Sequence, residues 1–509
     1  MRFVTDMAAK RAELSGRAVA FRDVETGAAI TFAEVEARAN RLARALARLG
    51  AAPGDRVGVL CHNRPDFFAL LFAAQKARAI LVPLNWRQPA AELGPIVAQA
   101  GMDILLHDAA CAETAGALAG ERPMRRIALE PGCAADHDLE TLLAAESPEP
   151  PSDGARGADE TWYLLTTSGT TGLPKAVIQT FGMAWANAIN IGQAVDITSA
   201  ERTVNFLPLF HTAGINLYAL PVFLAGGASH VLRKFDPDAC LDLFAAGEVT
   251  AFFGVPAIYQ AFALSPRFAD IDLSRVRSFG CGGAPLPEPL IRLYATRGVR
   301  VRNGMGMTET GPTVFLIDEA AATEKIGSVG KPQILAEVRL AAADGSIVAG
   351  EGTGELQIRG PGVTPGYFEN PEATAAAFTA DGWLRSGDVA RRDADGYYVI
   401  VDRIKDMYIS GGENVYPAEV ERVLVEHPDV MEAVVVGVPD ARWGESGRAF
   451  LVPRPGAAPD PDAIRAFCRA RLAAYKVPRD VVLRADLPRT AAGKVQKHVL
   501  RGESPTVHR

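Results

Sequence analysis

The sequence predicts an α/β protein with a large N-terminal domain and a small C-terminal domain, and three patterns indicate this. From Thr31 to Arg302, strand-like apolar runs alternate with helix-like stretches, which is typical of a mostly parallel sheet covered by helices. Between 327 and 402, Asp-Gly and Glu-Gly pairs separate short β-type runs, which favours an antiparallel, β-barrel-like subdomain. A further small α/β pattern follows. We therefore predict an N-terminal domain at 1–404 and a C-terminal domain at 405–509.

Composition limits the function classes. The 509 residues are 48% hydrophobic, which can supply more than one core. The 53 basic and 60 acidic residues give a net charge of −7, so there is no basic surface typical of nucleic-acid binding. The six cysteines are scattered without a C-x-x-C pair, which indicates neither a zinc site nor a disulfide framework. Neither a signal peptide nor a membrane span is evident, so we expect a cytoplasmic protein.

The first elements can be assigned from their end signals. Thr31 and Glu34 have capping-box spacing, and apolar residues follow at helical intervals as far as Gly50. The alternation continues with a strand at 56–61, a helix at about 65–78, a strand at 79–84, a helix near 92–100 and a strand at 103–107. It resumes with strands at 203–209, 276–279 and 300–302, helices at about 287–297, 417–426 and 460–473, and strands at 430–438 and 480–483.

A loop of hydroxyls and glycines follows the apolar strand at 162–165. Glycine lets the backbone turn its N–H groups towards a ligand, hydroxyls can donate to phosphate oxygens, and Lys175 adds positive charge, so the loop suits a polyphosphate. A Walker A loop is excluded because Pro174 and Ala176 flank the lysine. A flexible linker is the alternative, but a linker has no need of a strand in front, a lysine at its end and the apolar run 176–178 behind it. The residues predicted to bind the polyphosphate here are Thr167, Ser168, Gly169, Thr170, Thr171, Gly172 and Lys175.

His211 follows the predicted strand at 203–209. It can be a buried packing residue, or it can line a pocket at the carboxyl end of the sheet, where ligands of open α/β folds bind. The residue pattern alone favours packing.

The segment TSGTTGLPK resembles the phosphate-loop signature of the adenylate-forming superfamily, and other motifs resembling that family follow in order along the chain. The resemblance implies an AMP-forming acyl-CoA synthetase and reverses the interpretation of His211, which would position or gate the acyl group. It also implies that the turn containing Gly282, Gly283 and Ala284 lies against adenine.

The segment at 303–310 resembles the adenine and magnesium motif of the family. A carboxylate beside a hydroxyl suits Mg²⁺, which prefers oxygen ligands. We therefore assign Glu309 to the metal and Thr308 to the α-phosphate. Met305 stands where the family commonly has an aromatic residue; a thioether can pack on adenine but gives up aromatic stacking.

The remaining site residues rest on the same resemblance. Asp388 would accept the ribose hydroxyls, since a carboxylate suits a diol. Arg403 would reach the ribose or phosphate, Lys405 would be the hinge, and Lys494 would be the catalytic lysine of adenylation. Gly411 and Gly412 would border the tunnel for coenzyme A.

The resulting prediction is a two-step ligase that converts an acid, ATP and coenzyme A to acyl-CoA, AMP and diphosphate through an acyl-adenylate. Only a short segment follows Lys494, so we expect no fused carrier domain and favour free coenzyme A. Two alternatives stay open: transfer of the acyl group to a carrier protein, and a non-catalytic acyl or nucleotide sensor. The joint presence of the five charged motif residues argues against a sensor.

The acid is predicted from the residues expected to line its pocket, at 211–218, 280–284 and 305–315. They are small and apolar, with Asn216 and Cys281 as minor polar features. This favours a medium- or long-chain fatty acid, or an aryl or alicyclic alkanoic acid, over a dicarboxylate. A homodimer is compatible with the sequence, which contains no signal for or against it.

Overall fold

The computed structural model describes residues 1–151, 154–167, 174–489 and 495–503. Within these residues the predicted α/β fold class is confirmed: two large sheets are mostly parallel, and the later sheets are mostly antiparallel. The predicted loop residues Ser168, Gly169, Thr170, Thr171 and Gly172 lie outside the described residues, and so does Lys494.

The first large sheet has seven strands, in the spatial order Lys175–Thr180, Thr161–Thr167, Ile80–Pro83, Arg56–Leu60, Ile104–His107, Arg125–Ala128 and His137–Asp138. The second has nine strands, in the order Lys331–Pro332, Phe315–Leu316, Val301–Met305, Ser278–Cys281, Ala251–Gly254, Arg202–Asn205, Ala228–Val231, Val19–Asp23 and Ala29–Thr31. In both sheets the antiparallel pairs lie at the edges.

The later part of the chain forms an antiparallel sheet of Glu337–Ala341, Gly352–Arg359, Leu384–Arg392 and Tyr398–Arg403. A five-stranded sheet follows, made of Glu413–Val415, Tyr408–Ser410, Gly444–Pro453, Val430–Asp440 and Asp480–Leu483. A two-stranded sheet joins Phe3–Val4 to Arg156–Gly157. The predicted hinge, Lys405, lies between the last strand of the antiparallel sheet and the first strand of the next.

The α-helices are Met7–Ser15, Phe32–Arg48, Pro65–Ala77, Ala90–Ala100, Ala112–Glu121, Leu139–Ala144, Phe181–Val195, Ala219–Ala225, Pro237–Ala245, Pro256–Leu264, Glu288–Thr296, Pro371–Ala377, Pro417–Val425, Pro461–Arg469 and Lys497–Arg501. In the part of the chain that the structure describes, every helix is too short or too polar to cross a lipid bilayer.

The capping box at the start of Phe32–Arg48 is confirmed. The Thr31 hydroxyl accepts from the Glu34 N–H at 3.2 Å, and the Glu34 carboxylate accepts from the Thr31 N–H at 2.7 Å. These two bonds satisfy N–H groups that have no partner within the helix.

Helix Pro65–Ala77 lies in the core that joins the two large sheets. Phe68 stacks on Phe21 of the second sheet with ring centroids 4.5 Å apart, and Phe72 packs near Trp162 of the first sheet at 6.2 Å. Because interiors are close-packed, this shared core holds the carboxyl edges of the two sheets in one arrangement.

Several element predictions, including the following three, were wrong at their boundaries. The strand predicted at 203–209 ends at Asn205, ahead of Pro208, which has no N–H to continue a ladder. The strand predicted at 276–279 lies at Ser278–Cys281. The helix predicted at 460–473 ends at Arg469, where the N–H groups of Arg471 and Leu472 both turn back to the Cys468 carbonyl.

Candidate active site

The phosphate-loop motif lies on an edge hairpin of the first sheet. Strands Thr161–Thr167 and Lys175–Thr180 are antiparallel, with Thr167 directly opposite Lys175. The Thr167 hydroxyl donates to the Lys175 carbonyl at 3.4 Å. The two described ends of the predicted loop therefore meet at the tip of one hairpin, as a loop that folds around a ligand requires.

Lys175 and Glu309 are brought together by a residue that the sequence analysis missed, Tyr367. The Lys175 ammonium lies 4.9 Å from the centroid of the Tyr367 ring, in a cation–π contact. The Tyr367 hydroxyl donates to Oε1 of Glu309 at 3.0 Å. Burial and the neighbouring Glu309 carboxylate both raise the pKa of Tyr367, so the phenol stays protonated and able to donate.

Backbone contacts hold this group in place. Tyr367 forms an isolated antiparallel bridge with Val177 of the hairpin. The Thr364 N–H donates to the Glu309 carbonyl at 2.8 Å, and the Gln179 side chain donates to the Thr308 carbonyl at 2.9 Å. The hairpin, the turn at Thr308–Thr310 and the segment before helix Pro371–Ala377 thus form one unit, which places Thr308, Glu309 and Lys175 side by side.

The donor set at Glu309 suits a hard cation. Glu309 is almost fully buried. Among the described residues, the side chain that donates a hydrogen bond to its carboxylate is Tyr367, which bonds to Oε1. The other carboxylate oxygen, Oε2, can therefore take a further ligand. Carboxylate and hydroxyl oxygens are the ligands that Mg²⁺ prefers. The assignment of the ion to Glu309 remains a prediction.

The two predicted adenine segments lie on neighbouring parallel strands. Cys281 pairs with Asn303, so the turn containing Gly282, Gly283 and Ala284 follows one strand while Met305 ends the next. A Cβ added to Gly282 would come within 3.2 Å of the Gly304 carbonyl, and Gly283 has a φ of +80°. Glycine therefore allows two backbones to approach closely at this edge.

Met305 is partly buried and packs against the core of the antiparallel sheet, including Phe315. It is followed by Gly306, where any side chain is excluded because a Cβ would lie 1.4 Å from the Pro312 carbonyl oxygen. The contact of Met305 with adenine stays a prediction.

The predicted ribose residues are paired in the antiparallel sheet. Asp388 and Arg403 are directly opposite each other on adjacent strands, and Nε of Arg403 lies 3.0 Å from Oδ1 of Asp388. The Ser386 hydroxyl accepts from the Asp388 N–H at 3.0 Å and fixes the turn of the strand. The pairing of the two strands therefore brings Asp388 and Arg403 into contact. Their predicted roles at the ribose require them to lie close together.

His211 lies just before a π-helical turn. Its Nδ1 accepts from the Ala213 N–H at 3.3 Å, and the chain then enters a π-helical turn, Ala213–Leu217. The preceding residue, Phe210, meets the edge of Trp86 with centroids 6.4 Å apart. His211 is only partly buried, so a contact with an acyl group is open to it, and its positioning role remains a prediction.

The expectation that Asn216 and Cys281 are polar features of the pocket was wrong. Asn216 is 1% exposed and its amide is bonded to the Tyr163 hydroxyl and to Thr212. Side chains alternate between the faces of a strand, so Cys281 points with Phe279 into the core on the opposite face of its sheet. Burial there raises the pKa of the Cys281 thiol.

Asn216 instead braces the wall of the predicted acyl pocket, in a network that the sequence analysis missed. Asn187 donates to the Asn216 carbonyl at 2.5 Å and accepts from the Thr313 N–H at 3.1 Å. A fully bonded buried network holds one arrangement because breaking any member leaves an unsatisfied polar group. The π-helical turn is thereby tied to the hairpin strand and to the segment after Glu309.

The residues around the predicted hinge contact both neighbouring sheets. Asp402 accepts from the Ala418 N–H at 2.8 Å, at the start of helix Pro417–Val425, and Lys497 pairs with Glu421 of that helix at 2.8 Å. Lys405 itself is exposed; partial desolvation and then the nearby Arg403 lower its pKa. Its role as a hinge is untested.

Gly411 and Gly412 have φ values of +62° and +89°. A Cβ on Gly411 would lie 2.6 Å from the Trp443 ring, so this turn needs glycine for packing as well as for its backbone angles. Their contact with coenzyme A stays a prediction.

Comparison with known proteins agrees with this geometry. The AMP-binding enzyme family profile matches residues 8–368, and the profile of the AMP-binding enzyme C-terminal domain matches residues 419–494. A feruloyl-CoA synthase from Amycolatopsis sp. is 44% identical over 492 residues, covering 97% of each chain. The long-chain-fatty-acid–CoA ligase FadD13 of Mycobacterium tuberculosis is 35% identical over 502 residues, again covering 97% of each.

Among solved structures, ATP-bound MatB from Rhodopseudomonas palustris superposes with a TM-score of 0.90 at 31% identity, covering 98% of each chain. Two family profiles together span most of the sequence, and the similarity to curated relatives extends over nearly all of it. The chain therefore belongs to the adenylate-forming, AMP-binding enzyme family and is an AMP-forming acid–CoA ligase.

Proposed function

We propose that this ligase acts on aromatic acids of the cinnamate type, which carry a ring on a three-carbon chain. The observation that carries the proposal is the 44% identity, over 97% of each chain, with a protein named feruloyl-CoA synthase. One strand of the predicted acyl pocket supports it: strand Ser278–Cys281 and the turn after it present the small residues Ser278, Gly280 and Gly282 on one face. The ring of Phe253 packs on the two glycines of this face, so an aromatic substrate would meet an aromatic side chain there.

The first half-reaction follows from the residues grouped at the hairpin tip. The carboxylate of the acid attacks the α-phosphorus of ATP, and diphosphate leaves. Lys175 neutralises charge on the phosphate oxygens, Thr308 contacts the α-phosphate, and Glu309 holds Mg²⁺, which when bound supplies further charge stabilisation. The pair of Asp388 and Arg403 orients the ribose.

In the second half-reaction the thiol of coenzyme A attacks the acyl carbonyl of the adenylate and AMP leaves. We propose that the C-terminal domain turns about Lys405 between the two steps, moving Lys494 away and bringing Gly411 and Gly412 towards the passage for the thiol. The contacts of Asp402 with Ala418 would have to change in this motion, because the two residues lie on opposite sides of Lys405.

The test of the substrate class is coenzyme A-dependent AMP formation with cinnamate, 4-coumarate, ferulate, phenylpropionate, hexanoate, octanoate, palmitate and malonate. We expect the ring acids to have the highest kcat/KM. The second candidate is a fatty acid, favoured by the similarity to FadD13 and by the apolar cluster around Leu217, Phe253 and Leu316. Turnover that rises with chain length, without turnover of the ring acids, would favour a fatty acid.

Two other outcomes would indicate a different function. Diphosphate release without a thioester would indicate a carrier-protein acceptor, and ATP binding without any turnover would indicate a sensor.

Tyr367 offers a test of the assignment of Glu309. We expect Tyr367→Phe to weaken the response to Mg²⁺ about tenfold or more, because a residue that orients a metal ligand typically affects affinity to that extent. The ring that lies under Lys175 is retained in this variant, so ATP binding in the presence of EDTA should change little. The measurement is the stabilisation of the protein against heating by ATP, titrated with Mg²⁺, alongside the Mg²⁺ dependence of turnover.

The matched control is Tyr397→Phe. The Tyr397 hydroxyl also donates to a carboxylate, Oδ2 of Asp318 at 2.7 Å, but at the surface. This variant should keep the parent Mg²⁺ dependence. Equal Mg²⁺ responses in Tyr367→Phe and the parent would remove Tyr367 from the metal site.

A further inference from the structure

Two buried hydroxyls face each other beside the predicted acyl pocket. Tyr218 follows the π-helical turn, and Ser278 begins the strand that leads to Gly282. They are 4% and 6% exposed, and their oxygens are 3.4 Å apart. Among the described residues, this is the one hydrogen bond that the structure gives to either hydroxyl.

That contact leaves both groups poorly satisfied. Hydrogen bonds between hydroxyls are normally 2.5 to 3.0 Å long, and a contact of 3.4 Å is correspondingly weak. A buried hydroxyl without a good partner is costly, so proteins rarely keep one without a reason. Burial also raises the pKa of Tyr218, which keeps its proton available for donation.

We place the deep end of the predicted acyl pocket at Ser278, the end of its strand farthest from the Gly282 turn, where the two hydroxyls lie. Ser278, Gly280 and Gly282 share one face of their strand and of the turn that follows, and a Cβ on Gly280 would lie 3.2 Å from the Tyr218 hydroxyl. Phe253 lies alongside, since a Cβ on Gly280 or on Gly282 would meet its ring at 2.6 and 3.1 Å. The four residue steps from Ser278 to Gly282 span about 13 Å, which is long enough to accommodate an acid with one ring and a three-carbon chain.

Among the described residues, the positive group near Tyr218 is bonded elsewhere. The guanidinium of Arg302 is near Tyr218, but it donates to the carbonyls of Ile317 at 2.8 Å and Ala194 at 2.6 Å. The deep end of the pocket therefore offers neutral hydroxyls surrounded by apolar side chains, which suits a phenol better than a second carboxylate.

We propose that Tyr218 and Ser278 bind the ring hydroxyl of a 4-hydroxycinnamate-type substrate and so distinguish it from unsubstituted cinnamate. The phenol of the substrate donates to one of the two oxygens and accepts from the other, which completes both hydroxyls. This inference rests on the proposed function and specifies the substrate within that class.

The hydroxyls of Tyr218 and Ser278 gain good hydrogen bonds only when the substrate carries a ring hydroxyl. Acids without that group should therefore be poor substrates. We expect the parent enzyme to prefer 4-coumarate over cinnamate by about 10- to 100-fold in kcat/KM, since two hydrogen bonds are gained or lost. Most of the difference should appear in KM, because the ring hydroxyl is remote from the reacting carboxylate and binds ground state and transition state alike.

The experiment compares kcat and KM for 4-coumarate, ferulate and cinnamate in the parent enzyme and in Tyr218→Phe and Ser278→Ala. Each substitution removes one hydroxyl and keeps the packing, so we expect the preference for the ring hydroxyl to fall about tenfold, with cinnamate turned over at the parent rate or better. Tyr294→Phe is the control. Its hydroxyl is also buried, but it donates to the Tyr259 carbonyl at 3.0 Å on the other face of the sheet, so the parent ratio should be kept.

The possible outcomes distinguish a failure of this inference from a failure of the proposed activity on cinnamate-type acids. Equal kcat/KM for cinnamate and 4-coumarate in the parent, or an unchanged ratio in both variants, would overturn the role of Tyr218 and Ser278 while the ring-acid function stands. A parent enzyme that activates fatty acids and no cinnamate would overturn the proposed function and this inference together. The parent ratio requires no variant, so a folding defect in either substitution leaves the test intact.

Discussion

Replacing Lys494 with alanine is expected to slow formation of the acyl-adenylate by about 100- to 1,000-fold, the usual loss when one group that stabilises transition-state charge is removed. The expectation rests on the position of Lys494 in a motif resembling the catalytic lysine segment of the family. Diphosphate release from ATP and a good acid substrate measures the first half-reaction directly. Thioester formation from a supplied acyl-adenylate and coenzyme A should stay near the parent rate, because we propose that Lys494 has left the site by then.

The control for this variant is Lys476→Ala in the same part of the chain. Lys476 pairs with Glu419 at 2.8 Å near the surface, where such a pair contributes little to stability, and both half-reactions should be unaffected. Equal loss of both half-reactions in Lys494→Ala would contradict the two-conformation mechanism and would indicate a lysine needed for folding or for general nucleotide binding.

Replacing Glu309 with glutamine is expected to lower kcat/KM by about 100-fold or more, because the change removes the charge that holds the metal ion while keeping the size of the side chain. The amide oxygen can still accept from the Tyr367 hydroxyl, so the turn at Thr308–Thr310 should retain its place. A readout independent of turnover is thermal stabilisation by ATP, which should no longer depend on Mg²⁺.

Glu319→Gln serves as the comparison, since Glu319 is exposed and outside the proposed site. It should behave as the parent in both assays. If Glu309→Gln retained the parent Mg²⁺ dependence, the carboxylate would be structural and the ion would have to be held elsewhere.

The outcome of the sequence analysis differed between local and long-range features. The capping box at Thr31 and the strand that leads into the phosphate loop depend on residues close in sequence or on strand period. Such features follow from backbone geometry and short-range hydrogen bonding. The strand predicted at 203–209 was too long because apolar residues continue beyond Asn205, where the hydrogen bonding to the neighbouring strands ends.

The sequence by itself determined the α/β class and the order of the motifs, because these are carried by residue types at short spacing. The adenylate-forming chemistry was implied by the resemblance of those motifs to a known family. Only the tertiary structure decided which side chains meet: Tyr367 lies between Lys175 and Glu309, Asn216 is turned into a bracing network, and Tyr218 faces Ser278. These partners are far apart in the chain, and their contacts depend on how the hairpin, the π-helical turn and the second sheet pack. A local pattern contains no information about that packing, so the partners that refine the site appear only once the chain has folded.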